Sequence, residues 1–546
     1  MEYFPSIGLS IIAFLISAYF YQKYQPPPKP KIVGIDLGTT YSSIGTYHSV
    51  TGDVTVYEIE QSFKSIPSQI FFNKKGDIIV GYEAQLQAQI DPTNLLYDAK
   101  RFIGKNFTET ELAHLIQLYP FDLQNHNERT YFQIKTAGMI GTDSINTLAR
   151  TLNKLCSGIH HTQLFKNESS KIFLISPECV GAIIISKLIK IAEKMVGRKM
   201  DKGVIAVPAD FNDAQESGTI VAARLAGVQI LRVISEPTAA ALSYGLHLKE
   251  DLNNVVVIDI GGGTTDISLL TLHGGMFFVR ALAGNNRLGG QDFNERLLEY
   301  VIHESLKSKY GSGAKISRRE DLERLKTGIE RAKIALCSFN SIYNSSVQTY
   351  ELALELHLSY AKENDNMDDT YMGGGEIGTR DVNNDQDLIT ERVNFTTLLT
   401  TKIFDEVNAV TVAKVIETLR ECLHIGGIRF DSSDKEDTIQ EVVLVGGSVK
   451  VPLVYRAIVD FFSGTTSSSS ESIEDETHHD HTGTPNSRPT KPDRIVTNVQ
   501  LSLEPELAVA KGVAIMGGIV GGAWPLTVSA IEPYPRRRKI VRRVDL

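Results

Sequence analysis

The sequence contains one short pattern twice: an apolar, β-branched run that ends in an aspartate and leads into a Gly/Thr turn. The first copy has Asp36 followed by residues 38–40, and the second has Asp259 followed by residues 261–265. Backbone N–H groups of such turns bind phosphate oxygens, and a carboxylate at a strand end can hold a hydrated divalent cation. The two copies predict a clamp that grips a phosphate-bearing ligand from both sides.

A third segment has the same strand-and-glycine pattern without the aspartate. The apolar run 442–445 leads directly into Gly446, Gly447 and Ser448. Glycines have no side chain, so the backbone there can approach a bound nucleoside closely. The chain has no Walker lysine phrase and no G-x-G-x-x-G fingerprint, so P-loop and Rossmann folds fit it poorly.

The elements that must position these turns are buried strands, and the composition can supply the cores around them. With 546 residues, the chain has room for roughly three or four domain-sized units. An apolar share of 42% is ample for real cores. The net charge of -9 argues against nucleic-acid binding as the main activity.

Four phrases of the chain resemble the hallmarks of the seventy-kilodalton heat-shock chaperone family. Three resemble its signatures: Ile35–Ser42, Val257–Ser268 and Leu444–Pro452. A fourth, Ser235–Ala241, resembles a further family hallmark. The similarity extends from about residue 31 to about residue 521, which corresponds to the ATPase domain of the family, and it is strongest to a truncated microsomal branch without a client-binding domain.

The resemblance implies an α/β protein with the actin-like ATPase fold, in which two lobes, each with a duplicated α/β core, hold a nucleotide in the cleft between them. The expected organisation is a signal peptide or anchor with a Pro-rich stalk at 1–30, lobe I at 31–248, lobe II at 249–495, a return to lobe I at 496–521 and a short basic tail at 522–546. Two polar, low-complexity insertions in lobe II, 365–386 and 463–494, are expected to be flexible.

The family's functional residues can be carried over to matching positions. Asp36 and Asp259 would position Mg²⁺ through waters, and Glu236 and Asp266 would orient or polarise the attacking water. The implied contacts to ATP or ADP are Thr39, Thr40, Tyr41, Gly261, Gly262, Gly263, Thr264, Gly290, Glu330, Lys333, Gly446, Gly447, Ser448 and Glu506. Taken singly, each aspartate could equally cap a strand end, and Glu330 with Lys333 could be a surface pair.

The chain departs from the family pattern at three positions. In the phrase 81–87, Gln85 falls where the catalytic lysine is expected, and the loss of a fixed charge would weaken transition-state stabilisation. Ile334 replaces an arginine that stacks on the base, and Cys337 replaces a serine. Gln85 therefore enters the predicted catalytic set as a neutral substitute, and slow hydrolysis is expected.

The N-terminus predicts a membrane-targeting segment. Residues 4–22 carry no charge and are rich in Ile, Leu and Phe, and three prolines follow at 26–28. This length lies between that of a signal-peptide core and that of a short membrane span, so the segment fits both a cleaved signal peptide and a retained anchor. Lysines after the apolar run favour a cytosolic domain, whereas the resemblance favours the lumen of the endoplasmic reticulum. Four glycosylation sequons, at Asn106, Asn167, Asn344 and Asn394, are compatible with the lumen.

The cysteines and one long region of the first lobe give little information about function. The cysteines Cys156, Cys179, Cys337 and Cys422 form no C-x-x-C pair, which favours small buried hydrophobic residues over redox or metal roles. The region 123–170 is longer than the corresponding region of the family, and the resemblance assigns it no function.

Three functions follow as hypotheses. The leading one is a peptide-independent, weak ATPase of the endoplasmic reticulum that lacks a client-binding domain. The second is a non-enzymatic module in which ATP closes the lobes over a protein partner, and Gln85 favours it. The third, a metabolite kinase on the same fold, needs an acceptor pocket that the sequence does not reveal. The resemblance implies co-chaperones or other nucleotide-dependent protein partners.

Overall fold

The structure is a computed structural model. It describes residues 12–17, 29–60, 63–88, 94–127, 129–135, 139, 141–156, 162–166, 171–249, 252–273, 276–337, 348–361, 388–429, 438–463, 496–502, 504–522 and 542–544. The predicted insertions at 365–386 and 463–494 lie outside the described residues, apart from Ser463 at the end of a helix.

The first half of the chain alternates strands and helices. Its strands are β1 (Val33–Leu37), β2 (Tyr41–Tyr47), β3 (Val54–Val56), β4 (Ile66–Pro67), β5 (Ile70–Phe72), β6 (Ile78–Val80), β7 (Leu95–Leu96), β8 (Asp122–His126), β9 (Arg129–Lys135), β10 (Thr162–Lys166), β11 (Lys171–Ile175), β12 (Lys202–Val207) and β13 (Gln229–Ser235). Its helices are α1 (Tyr82–Ala88), α2 (Ala99–Phe102), α3 (Glu109–Leu118), α4 (Gly141–Leu155), α5 (Pro177–Val196), α6 (Asp213–Leu225) and α7 (Glu236–Ser243).

The second half repeats this alternation. Its strands are β14 (Asn254–Ile260), β15 (Thr265–His273), β16 (Met276–Asn285), β17 (Lys315–Ile316), β18 (Thr349–Ala361), β19 (Leu388–Thr400), β20 (Ile439–Val445), β21 (Val496–Leu501) and β22 (Arg542–Val544). Its helices are α8 (Gly290–Tyr300), α9 (Lys307–Tyr310), α10 (Arg319–Leu336), α11 (Thr401–Ile425), α12 (Pro452–Ser463) and α13 (Ala508–Val520), with a π-helical turn, Val301–Leu306, between α8 and α9.

Two large sheets share one strand order. The first runs β13-β12-β1-β2-β3, with β4 also paired to β2, and the second runs β21-β20-β14-β15-β16-β22. In each, the aspartate-bearing strand is antiparallel to the strand that follows it and parallel to its other neighbour. Asp36 lies opposite Ser43 and Asp259 opposite Asp266. The duplicated sequence pattern is therefore a duplicated structural unit. We call the elements around the first sheet, with α13, lobe I, and those around the second sheet lobe II.

Smaller sheets extend both lobes away from the large ones. Lobe I carries the sheets β10-β11-β9-β8 and β6-β5-β7, and lobe II carries β17-β18-β19. Each lobe has its own buried apolar cluster. A third cluster, between the lobes, combines side chains of both large sheets with α7 and α13.

Helix α13 packs against α7 and the first two strands at very short range. A Cβ atom on Gly512 would lie 1.7 Å from the backbone oxygen of Ala239 in α7. Only glycine allows this approach, because any side chain would overlap the neighbouring helix. The return of the chain to lobe I therefore depends on a residue without a side chain.

Three sequence expectations change in the structure. Residues 496–501 pair with β20 in the lobe II sheet, so the return to lobe I begins after 501 rather than at 496. Residues 542–544 of the predicted basic tail form β22, which pairs with β16. Cys156 and Cys179 form a disulfide instead of standing as separate buried residues, whereas Cys337 and Cys422 are free thiols.

The N-terminal segment is described only in part. Residues 12–17 are helical and exposed, and the other residues of the predicted apolar segment 4–22 lie outside the described chain. Within the described residues, no helix combines the length and apolar character needed to cross a membrane.

Candidate functional site

The two predicted cation-binding aspartates lie at equivalent strand ends of the two lobes. Asp36 is the fourth residue of β1, and Asp259 is the sixth residue of β14. Both strands are otherwise almost completely buried, because their apolar residues form the lobe cores. The rigid sheets therefore fix where both carboxylates lie.

The electrostatics indicate that these carboxylates share one site. Burial raises the pKa of Asp36 to about 7, with Lys100 opposing the shift and Glu236 adding to it. Burial also raises the pKa of Asp259 well above its usual value, and the neighbouring Glu236, Asp266 and Asp36 raise it further. Carboxylates that repel one another in a low-dielectric site call for a counter-cation.

Lys100 supplies part of that positive charge. Its ammonium group forms an ion pair with Glu236, and the lysine side chain is only 5% exposed. Glu236 is the first residue of α7, which is capped by the Ser235 side chain. A buried lysine held in this way is a fixed donor that faces the carboxylates of both lobes.

The turn before Lys100 holds a backbone conformation that is unusual for a side-chain-bearing residue. Asp98 has φ of 59° in the left-handed region and precedes helix α2. Its carboxylate accepts a hydrogen bond from the Tyr119 hydroxyl at 3.1 Å and pairs with Arg101 at 3.1 Å. These contacts hold the short helix that presents Lys100.

The Gly/Thr turns of the two lobes meet across the cleft. A Cβ atom on Gly262 would lie 2.7 Å from the Thr40 hydroxyl, so the two turns are in contact range. From lobe I, the Arg101 guanidinium donates hydrogen bonds to the backbone oxygens of Gly263 at 3.3 Å and Asn286 at 3.0 Å. The two turns that the sequence predicts to form a phosphate clamp therefore lie within contact range of each other.

Gly261 is the centre of a hydrogen-bond cluster in lobe II. Its backbone N–H donates to the Thr264 oxygen at 2.9 Å. Its backbone oxygen accepts bonds from the Gly290 N–H at 3.0 Å and from the Ser448 hydroxyl at 2.8 Å. Three stretches that are far apart in sequence, all predicted to bind the nucleotide, are thus joined at one point.

Two of the residues predicted to bind the nucleoside lie beside Gly290. The Lys333 ammonium donates to the Gly290 oxygen at 2.9 Å and pairs with Glu330 at 2.9 Å. Gly446 has φ of 83°, and a Cβ atom there would lie 2.7 Å from an Asp259 carboxylate oxygen. The pair Glu330–Lys333 is therefore more than a surface pair, because it reaches the glycine at the start of α8.

Three further residues singled out in the sequence lie on three different elements. Gly447 begins the 3₁₀ turn Gly447–Lys450. Glu506 forms an ion pair with Lys450 at 2.7 Å. Ile334 is 61% exposed, so the position expected to stack on the base carries an apolar side chain that is open to solvent.

The remaining predicted residues also lie at the cleft. Thr39 and Tyr41 are in the turn and first residue between β1 and β2. Asp266 is on β15, opposite Asp259. Glu236, Asp259 and Asp266 line one open pocket, whose walls come from lobe I at residues 208–210 and from lobe II at residues 282–284.

Gln85 is the exception. It lies on the exposed surface of α1, and its backbone N–H donates to the Gly81 oxygen. The structure does not bring it together with Glu236, and Lys100 occupies that place instead. The phrase Asp98–Gly104 carries one signal for Lys100, because it sets a lysine among apolar residues that become core.

Mg²⁺ fits the donor set of this site. Within the described residues, no three His, Cys, Asp or Glu side chains converge closely enough to hold a metal by themselves. Asp36 and Asp259 instead offer carboxylate oxygens from two sides, with raised pKa values that a divalent cation would offset. Mg²⁺ usually keeps several waters and binds through one or two carboxylates together with substrate phosphates.

Comparison with known proteins agrees with this geometry. A family model described as "Hsp70 protein" matches residues 32–162, 147–365 and 380–476. The chain therefore belongs to the Hsp70 family, and its two lobes have the actin-like ATPase fold of that family.

Individual relatives match along almost the whole chain. Heat shock 70 kDa protein 13 of Homo sapiens is 37% identical over 536 residues, which is 96% of this chain and 96% of that protein. The protein of the same name from Pongo abelii gives the same values. The one from Rattus norvegicus is 37% identical over 533 residues, again 96% of both chains.

Proposed function

We propose that this chaperone-family protein binds Mg-ATP between its lobes and hydrolyses it to ADP and phosphate. The observation that carries the proposal is the buried Lys100–Glu236 pair beside Asp36, Asp259 and Asp266, where both lobes contribute charge to one cleft. Hsp70 proteins normally bind ATP or ADP with Mg²⁺, and the Gly/Thr turns of the two lobes lie within contact range of each other.

Each group has a task that follows from its charge and place. When bound, Mg²⁺ would neutralise phosphate charge and be held by Asp36 and Asp259. Backbone N–H groups of the Gly/Thr turns would bind phosphate oxygens. Lys100 would stabilise charge that develops on the transferring phosphoryl group, and Glu236 and Asp266 would accept hydrogen bonds from the attacking water and orient it.

The reason for expecting unusually slow hydrolysis no longer applies. That expectation depended on Gln85 in place of a lysine, whereas Lys100 puts a lysine beside Glu236. With Lys100 beside Glu236, Gln85 no longer favours a non-enzymatic nucleotide-gated module. We expect single-turnover assays with full-length protein and radiolabelled ATP to show ADP formation that depends on Glu236. Equal rates for wild type and Glu236→Gln would contradict the proposal.

We also propose that turnover is independent of client peptides. Described residues 29–522 belong to the two lobes, and β22 adds to the lobe II sheet, so the described chain offers no separate peptide-binding unit. Extended apolar peptides at saturating concentration should leave the steady-state ATPase rate unchanged. Stimulation by such peptides, with a scrambled polar peptide as control, would disprove this part.

The proposed location is the lumen of the endoplasmic reticulum. The support is the apolar segment 4–22, the disulfide between Cys156 and Cys179, and the exposed sequon residues Asn106 and Asn394. Disulfides persist mainly in oxidising compartments. The domain should resist protease in intact microsomes and lose mass on glycosidase treatment. Digestion without detergent would place it on the cytosolic face.

A further inference from the structure

The disulfide between Cys156 and Cys179 joins a region without an assigned role to a helix that supports the site. Both cysteines are completely buried, and their Cα atoms are 5.6 Å apart, within the usual range for a disulfide. Cys156 directly follows α4, in the region 123–170 that is longer than its counterpart in the family. Cys179 is the third residue of α5.

Helix α4 is held to lobe I by one apolar face. Leu148 and Leu152 are buried in the lobe I core, and the backbone N–H of Cys156 donates to the Leu152 oxygen at 2.7 Å. The opposite face of this helix carries polar side chains such as Arg150. The disulfide adds a covalent attachment at the carboxyl end of α4, directly to α5.

The first two turns of α5 also contact the segments that carry Asp36 and Lys100. The Glu178 carboxylate, beside Cys179, accepts a hydrogen bond from the Gly104 N–H at 3.4 Å. A Cβ atom on Gly181 would lie 3.4 Å from the Leu37 side chain and 3.5 Å from the Ile103 side chain.

These contacts lead directly to the cleft. Leu37 follows Asp36 at the end of β1, and Ile103 follows the short helix α2 that carries Lys100. Any shift in the first turn of α5 therefore reaches Asp36 and Lys100 through one layer of packed atoms.

We propose that Cys156–Cys179 is a native cross-link that fixes the first turn of α5 and thereby positions Lys100 and Asp36. In forming it, the two cysteine thiols lose two protons and two electrons, and a small-molecule disulfide such as oxidised glutathione accepts them and becomes two thiols. The effect on turnover rests on the proposed ATPase function. The cross-link and its effect on α5 do not.

The first test is chemical. Full-length protein is refolded in a glutathione redox buffer, denatured without reductant, alkylated and digested. Mass spectrometry should find the Cys156 and Cys179 peptides linked, with Cys337 and Cys422 alkylated. Four alkylated cysteines, or any other pairing, would overturn the proposal.

The second test asks whether the cross-link holds the site. Hydrogen exchange is compared for oxidised wild type, reduced wild type and the double variant Cys156→Ala/Cys179→Ala, with and without reductant. Reduction of wild type should speed exchange in peptides covering 34–40 and 97–105 by about tenfold, while a lobe II peptide covering 254–262 stays unchanged. The double variant should exchange like reduced wild type and ignore the reductant. Equal exchange in oxidised and reduced wild type would overturn the positioning role.

Thermal unfolding and turnover complete the design. Reduction should lower the melting temperature of wild type by about 2 to 4 °C, a small shift because the entropy of unfolding grows with chain length. It should slow single-turnover hydrolysis by about threefold to thirtyfold, because small misplacements of catalytic groups are costly, while ATP affinity changes by less than about twofold. An unchanged rate in an active enzyme would contradict the positioning role. If neither form hydrolyses ATP, the proposed function fails, and the exchange result still decides the role of the cross-link.

Discussion

Lys100 is the residue on which the proposed chemistry depends most. A preorganised donor of this kind is worth about 10²- to 10³-fold in rate. Lys100→Gln should therefore slow single-turnover hydrolysis by about that factor, with a smaller effect on ATP affinity, because the charge matters most in the transition state. Gln85→Lys is the matched control, and it should leave the rate unchanged. A faster Gln85→Lys enzyme, or an unaffected Lys100→Gln enzyme, would restore Gln85 to the site.

Asp36 gives the site a dependence on pH. Because burial raises its pKa from 3.8 to about 7, the folded protein holds an extra proton between these values. Without ligand, Asp36 therefore lowers the free energy of unfolding as pH rises from 3.8 to about 7. Above that range, its contribution to the free energy of unfolding stays constant. Mg²⁺ needs the charged form, so binding of Mg-ATP should weaken as pH falls below 7.

Calorimetry at several pH values tests this dependence. At pH 6, one unit below a pKa of about 7, roughly nine tenths of the Asp36 carboxyl groups are protonated. Protonation of Asp36 should therefore make Mg-ATP binding about tenfold weaker at pH 6 than at pH 8. The nucleotide also titrates in this range, and comparison with Asp36→Asn removes its contribution. Identical pH profiles for the two proteins would show that Asp36 does not take part.

Ile334 should make ATP binding weaker than an arginine at this position would. Its exposed side chain cannot make the cation–π contact that a guanidinium makes with a base, which is worth about 0.5 to 2 kcal/mol. Ile334→Arg should thus tighten ATP binding by about twofold to thirtyfold. Ile334→Gln serves as the uncharged control. Unchanged or weaker binding by the arginine variant would mean that the base lies elsewhere.

Among the elements, α13 and α7 are in very close contact. Gly512→Ala would place a methyl carbon 1.7 Å from the Ala239 oxygen, so the helices must separate. We expect a loss of about 1 to 3 kcal/mol in the free energy of unfolding. Gly313→Ala, where a Cβ atom meets nothing within 4 Å, is the matched control. Denaturant unfolding that gives equal stability for both variants would show that α13 adjusts freely.

The sequence predicted strands and turns well where the pattern was repeated and failed where only the fold brings residues together. Asp36 and Asp259 could be placed at strand ends because β-branched runs precede both. Lys100 was missed because its partner Glu236 is 136 positions away and no local spacing links them. Cys156 and Cys179 were missed for a similar reason, since their pairing depends on where α4 packs.

The boundary between the lobes was also hard to predict, because a local sequence does not say which sheet a strand joins. Residues 496–501 looked like part of the return to lobe I, yet they form the strand β21 beside β20. A strand of six residues such as β21 carries no signal for which sheet it joins. The assignment of α13 to lobe I in the sequence depended on the family resemblance, which extends to it.

Across the whole molecule, contacts on two sides of the cleft connect the lobes. On one side, Arg101 of lobe I donates to backbone oxygens of lobe II. On another, the Tyr244 hydroxyl, after α7, donates to the Leu444 oxygen at 2.8 Å and accepts a bond from the Ser502 N–H at 3.0 Å. These contacts join the lobes around the site where the carboxylates of both lobes influence one another.

Calorimetry of Mg-ATP binding tests whether both lobes bind one Mg-nucleotide. Asp36→Ala and Asp259→Ala should each weaken Mg-dependent binding by about 10- to 150-fold, since a contact to a charged group is worth about 1.5 to 3 kcal/mol. Asp53→Ala, on an exposed turn of lobe I, should bind like wild type. Wild-type affinity in both site variants would contradict the two-sided clamp.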